Sequence, residues 1–197
     1  MKGPRISRLL LFLFCGFWAT AGAHAFSLGL SGDGTATISA GQGFGPKLQY
    51  GGGLSMDFVF PLKPWLALDA TIDAFTVAPS DISGGFLYRG YSGGALGLIA
   101  AFAWPLAVPD RFGGLSAGFG VGLGTALPSY WYTTLAFFYV EPRVRGTLAW
   151  TPAGLPDFTF QLFTPVALQL RRDMGYSVSA GVGIGVLYTF GKRATRK

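Results

Sequence analysis

The chain has one cysteine and one histidine, Cys15 and His24, and both fall within its first 25 residues. Those residues have the three parts of a secretory leader: a basic start with Lys2, Arg5 and Arg8, an apolar stretch from Leu9 to Phe17, and the small-residue cleavage site Ala23-His24-Ala25 ahead of Phe26. A mature chain beginning at Phe26 therefore holds neither a thiol nor an imidazole. With the leader removed, disulfides, zinc centres, thiol nucleophiles and histidine-dependent triads are not expected. No cofactor or metal is expected.

Charge is also scarce, at 12% of residues. The excess of Lys and Arg sits mostly at the two ends. Lys2, Arg5 and Arg8 lie in the leader and Lys192, Arg193, Arg196 and Lys197 at the C-terminus, leaving eight basic residues against nine acids in the body. That balance gives no reason to expect a nucleic-acid partner. Also missing after the leader is any uninterrupted apolar run of about 18 residues, the length a membrane-spanning helix needs. Yet half the residues are hydrophobic and 31 are glycine. The apolar residues must be arranged in some other way.

They alternate. In Ser177 to Phe190 the even positions Val178, Ala180, Val182, Ile184, Val186, Tyr188 and Phe190 are apolar, and the odd positions from Ser177 to Gly185 are serine or glycine. A period of two is the mark of a strand with one apolar face. Seven more segments follow the rule to different degrees: Leu28 to Ile38, Lys47 to Phe60, Leu66 to Phe75, Leu96 to Trp104, Gly114 to Leu123, Phe138 to Trp150 and Phe158 to Leu170. Leu96 to Trp104 is apolar on both faces and is also compatible with a buried helix. Pro142 and Pro165 fall inside strands, where a missing donor suggests bulges and a change of facing.

The connections are of two kinds. Pro61 to Pro64, Pro105 to Pro109 and Pro152 to Pro156 are proline-rich turns, whereas Ala78 to Gly90 and Leu127 to Thr134 are longer loops. The turns and both chain ends then fall on one side. Aromatic residues collect at both levels: Phe60, Trp65, Trp104, Trp150, Phe158, Tyr188 and Phe190 toward the turns, and Tyr50, Tyr91, Tyr130, Trp131, Tyr132 and Tyr176 toward the loops. Two aromatic girdles bounding an apolar band are what a lipid bilayer selects. In hydrocarbon an open sheet edge leaves backbone groups unpaired at several kcal/mol each, so the sheet must close.

With its strand number, its alternation and its aromatic-ended last strand, the mature chain resembles the small eight-stranded outer-membrane barrels of the OmpA/OmpX type. No subfamily motif accompanies the likeness. The resemblance implies an all-β, antiparallel, up-and-down transmembrane barrel over 26–190, preceded by a signal peptide over 1–25 and followed by a basic tail over 191–197. It further implies both termini on the periplasmic side, insertion by the barrel-assembly machinery, and a monomer in the outer membrane of a diderm bacterium. The surrounding partner would be lipopolysaccharide or another glycolipid. Some eight-stranded barrels modify lipid A acyl chains, but with a histidine that this mature chain does not have.

An eight-stranded barrel has room inside only for side chains. By parity the lumen receives Asp33, Asp57, Asp69, Asp73 and Glu141 together with Lys47, Arg143 and Arg145. One reading is an ion-pair network that plugs the barrel, since buried charges must pair or neutralise. The other is a narrow gated path for ions or apolar solutes. A third role, surface adhesion, would act through the long loops. Inward glycines of Gly118 to Gly124 should make room for Tyr139, Arg143 and Arg145. This run imitates a dinucleotide fingerprint but lacks the helix that would follow one. A glycosidase-like carboxylate pair of Glu141 with Asp69 or Asp73 is the remaining enzymatic arrangement, and the weakest.

Overall fold

A computed structural model of the chain describes residues 26–41, 44–79, 90–104, 114–128, 136–171 and 175–191. Residues 1–25, expected to be a leader, the tail beyond 191 and most of the long loops, with Tyr130, Trp131 and Tyr132, lie outside the described residues. Eight strands follow one another: β1 (Phe26–Gly41), β2 (Phe44–Lys63), β3 (Leu66–Val77), β4 (Tyr91–Trp104), β5 (Gly114–Pro128), β6 (Phe137–Trp150), β7 (Phe158–Arg171) and β8 (Gly175–Phe190). Each pairs antiparallel with its sequence neighbour, and β8 closes on β1. The closing seam runs without a slip from Phe26 opposite Phe190 to Ala40 opposite Tyr176. No edge is left open, which satisfies the backbone as hydrocarbon requires.

Alternation determines which side each residue faces. Leu30, Leu54, Ile72, Leu96, Phe119, Leu123, Val182 and Ile184 are all exposed on the outer surface, although they are among the most apolar side chains. Gln49, Asp57, Thr71, Glu141, Gln169 and Ser177 are buried inside. The fold thus has its polar residues within and its greasy ones outside, the inverse of a water-soluble domain and the arrangement of a membrane barrel. Of the girdle residues toward the turns, Trp65, Trp104, Trp150, Tyr188 and Phe190 are exposed on the outside and Phe60 is half-buried against Phe26. Phe26 and Phe190 stack across the closing seam, with ring centres 4.8 Å apart.

The structure decides three points of the sequence reading, the first in favour of the strand and the other two against the expectation. Leu96–Trp104 is the end of a longer strand, β4, and not a helix. A helix there would have left the edges of β3 and β5 unpaired, whereas β4 pairs along both. The prolines introduce neither a bulge nor a change of facing. Val140 pairs with Leu170 and Arg143 with Ala167, so the β6–β7 register is the same on either side of Pro142. Likewise Phe163 opposes Gly183 and Val166 opposes Ala180 on either side of Pro165. Each proline loses its donor on one side only, because Pro142 still pairs with Val121 and Pro165 with Arg145. The shifts that do occur sit at strand ends, between Ser39 and Gly41 and between Pro61 and Lys63. Thirdly, Tyr91 is not a girdle residue: it points inward and is 1% exposed.

Candidate functional site: the charged lumen

Two arginines on β6 organise the interior. Arg143 Nη1 donates to Asp73 Oδ2 at 2.6 Å and to Thr71 Oγ1 at 3.1 Å, and its Nη2 lies 2.8 Å from Glu141 Oε1. Arg145 Nη1 reaches Asp57 Oδ1 at 2.8 Å and Asp69 Oδ2 at 3.4 Å, while Nη2 donates to Gln161 Oε1 at 3.3 Å. Ser31 Oγ donates to the other oxygen of Asp57 at 2.7 Å. In a ring of eight strands β2 stands opposite β6, so the Arg145–Asp57 pair ties facing walls together across the lumen.

The glycines explain how Arg143 gets to Asp73. Glu141, Gly122, Gly97 and Thr71 form one row of register partners across β6, β5, β4 and β3. A Cβ built on Gly122 or Gly97 would collide with the Arg143 guanidinium, so the arginine lies along a groove that only glycine leaves open. Gly124 does the same for the Tyr139 hydroxyl, which donates to Gly94 O at 3.4 Å. Arg145 differs from expectation: the glycines of β5 nearest it, Gly118 and Gly120, are covered by Ile99, and the guanidinium carbon instead sits 4.0 Å from the Phe163 ring centre.

Six of the charged residues expected in the lumen, Asp57, Asp69, Asp73, Glu141, Arg143 and Arg145, are thus brought into ion pairs. Two are not. Lys47 has the inward parity, but it lies opposite Ser39 near the loop-side end of β2, where it is exposed. Asp33 lines the central cavity, and among the described residues no cation stands at ion-pair distance from it. The carboxylates suggested for glycosidase chemistry are divided between the arginines, Glu141 and Asp73 on Arg143 and Asp69 on Arg145. Among the described residues these three carboxylates are therefore engaged with guanidinium groups and do not form a free acid and base pair.

One buried charged residue escaped the sequence reading. Arg171, the last residue of β7, is 6% exposed and donates through Nη2 to Tyr91 Oη at 2.8 Å and to Gln169 Oε1 at 2.7 Å. Its guanidinium stands 4.8 Å from the ring centres of both Tyr91 and Phe137. These rings belong to an aromatic cluster in which Phe75 meets Tyr91 and Tyr139 edge-on, at 5.9 and 6.1 Å. Continuing the alternation of β7 one step beyond Leu170 would have placed Arg171 inside. From this mouth a hydrogen-bonded chain descends, because Gln169 Nε2 donates to Glu141 Oε2 at 3.0 Å. That bond spans β6 and β7 beside Pro142, where the backbone ladder is interrupted.

Below the aromatic cluster lies a cavity of about 120 Å³, bordered by Asp33, Asp73, Glu141, Arg143, Gln169 and Ser179 among others. It is large enough for several water molecules. The fold is that of the small eight-stranded outer-membrane barrels. Neisserial surface protein A superposes with a TM-score of 0.63 at 11% identity, covering 84% of this chain and 99% of that one. The attachment invasion locus protein Ail of Yersinia pestis, in complex with the heparin analogue sucrose octasulfate, gives 0.51 at 12% identity, over 85% and 99% of the two chains. No protein-family model matches the chain, and a comparison with curated protein sequences gives no match. At such identities the likeness concerns the barrel architecture.

Proposed function

We propose that this protein is a monomeric, non-enzymatic barrel of the outer membrane of a diderm bacterium, with a sealed lumen and a structural or surface-interaction role. Its chain ends face the periplasm and its long loops face outward, where a surface ligand would be met. The leader over 1–25 directs export, the barrel-assembly machinery inserts the chain, and lipopolysaccharide or another glycolipid surrounds its outer face.

The observation that carries the sealed lumen is the Arg145–Asp57 pair between opposite walls, flanked by the Arg143 cluster. In so narrow a barrel these side chains fill the cross-section. Support for acting at the surface comes from two similar barrels, a neisserial surface protein and an attachment invasion locus protein. The test is conductance in planar bilayers. A sealed barrel shows no steps, and Arg143→Ala lowers its stability without opening it. Channel steps in the native protein that grow in Arg143→Ala would replace this reading with the second one, a small ion channel. That alternative draws on the cavity beside Arg143.

A further inference from the structure

The two ends of the buried charge network are held very differently. Arg143 and Arg145 each bind two carboxylates. Arg171 binds none among the described residues: its acceptors are a tyrosine hydroxyl and a glutamine carbonyl, both neutral, and whereas all three arginines leave Nε without a hydrogen-bond partner, Arg171 leaves Nη1 without one as well. A buried guanidinium so incompletely satisfied is poorly compensated for its lost hydration. What holds it is the pair of aromatic faces at 4.8 Å, an arrangement that attracts cations in general. Arg171 also closes a strand, so rotation about its own side-chain bonds can carry the guanidinium to water without moving the ladder.

Tyr91 and Gln169, the two residues that accept hydrogen bonds from Arg171, also border the cavity, which continues down to Glu141 and Asp73. Of the charged residues that border the cavity, three are carboxylates, Asp33, Asp73 and Glu141, against the two guanidiniums of Arg143 and Arg145. A space of this composition favours positive solutes over negative ones.

We propose that Arg171 is a tethered plug occupying a cation site formed by Tyr91, Phe137 and Gln169, and that its withdrawal admits small monovalent cations from the loop-side mouth into the cavity. The site takes guanidinium and ammonium-type cations, the chemistry of its resident side chain. This goes beyond the sealed lumen proposed above and rests on it, since it makes one end of the seal releasable while the Arg145 end stays shut.

The mature chain lacks cysteine, so a single thiol can report on the cavity. Ser179→Cys places it at the cavity wall. The barrel is refolded in detergent, and its modification by cationic aminoethyl and anionic sulfonatoethyl methanethiosulfonate is timed. With Arg171 present the thiol reacts slowly. In Arg171→Ala the cationic reagent reacts about tenfold faster or more, a factor equivalent to roughly 1.4 kcal/mol of lost closure. The anionic reagent gains less, and added guanidinium chloride, against sodium chloride of equal ionic strength, slows the reaction again. Phe137→Leu, which keeps the arginine but removes one ring, gives an intermediate rate and serves if Arg171→Ala does not fold. Slow modification in all the folded variants overturns the plug and leaves the sealed lumen standing. So does a faster rate that guanidinium does not reverse, or one that favours the anion. A parent thiol that already reacts like a free one in water overturns both.

Discussion

The guanidinium of Arg145 rests on the face of Phe163, and Phe163 rests on Gly183, the residue directly opposite it on β8. A Cβ on Gly183 would run into the Phe163 ring and stand 2.8 Å from the carbonyl oxygen of Gly32. Gly183→Ala should therefore force the ring toward the arginine and cost about 1–3 kcal/mol, the usual range for overpacking. Urea unfolding in detergent micelles, followed by tryptophan fluorescence, measures it. An unchanged midpoint would show that the ring has room to move.

Removing one partner of a buried ion pair leaves the other uncompensated. Arg145→Ala strands both Asp57 and Asp69, and should cost about 3–5 kcal/mol. Adding Asp57→Asn removes one of the stranded charges. The double variant should accordingly be less destabilised than the sum of the two single ones, a coupling that a double-mutant cycle resolves. Strict additivity would mean that the pair does not interact across the lumen.

Facing can be tested residue by residue. Val182 and Phe119 are exposed on the outside, 58% and 59%, whereas Ser116 has inward parity. Arginine at either of the first two should cost about 2–4 kcal/mol near the bilayer midplane. Ser116→Arg should instead fail by crowding the lumen, giving low folding yield in any detergent or lipid. Equal tolerance of all three would contradict the assignment of inside and outside.

Closure has its own signature. A barrel whose every strand is paired on both sides resists unheated SDS. The refolded protein should migrate at one position on a gel before boiling and at another after it. A mobility that boiling does not change would argue against a closed sheet.

Much of this was legible because a strand has only two faces. Once Ser177 to Phe190 is seen to alternate, each further apolar residue is assigned by counting in twos, and Asp57, Asp69, Asp73, Glu141, Arg143 and Arg145 fall inside without reference to coordinates. The errors arose where counting stops short. Arg171 lies one residue beyond the end assigned to β7, and Tyr91 precedes the start assigned to β4. Parity also says nothing of depth, so Lys47 shares a face with the network while standing at its rim.

The alternating pattern and the scarcity of charge were enough to determine a barrel with a polar filling. Which charges meet was decided only by the closed ring. Arg145 and Asp57 are 88 residues apart in sequence and become partners because closure sets β6 against β2. Arg143 crosses to Asp73 because glycines from two other strands line up in register beneath it. Such pairings depend on distances across the lumen, and no local periodicity encodes those.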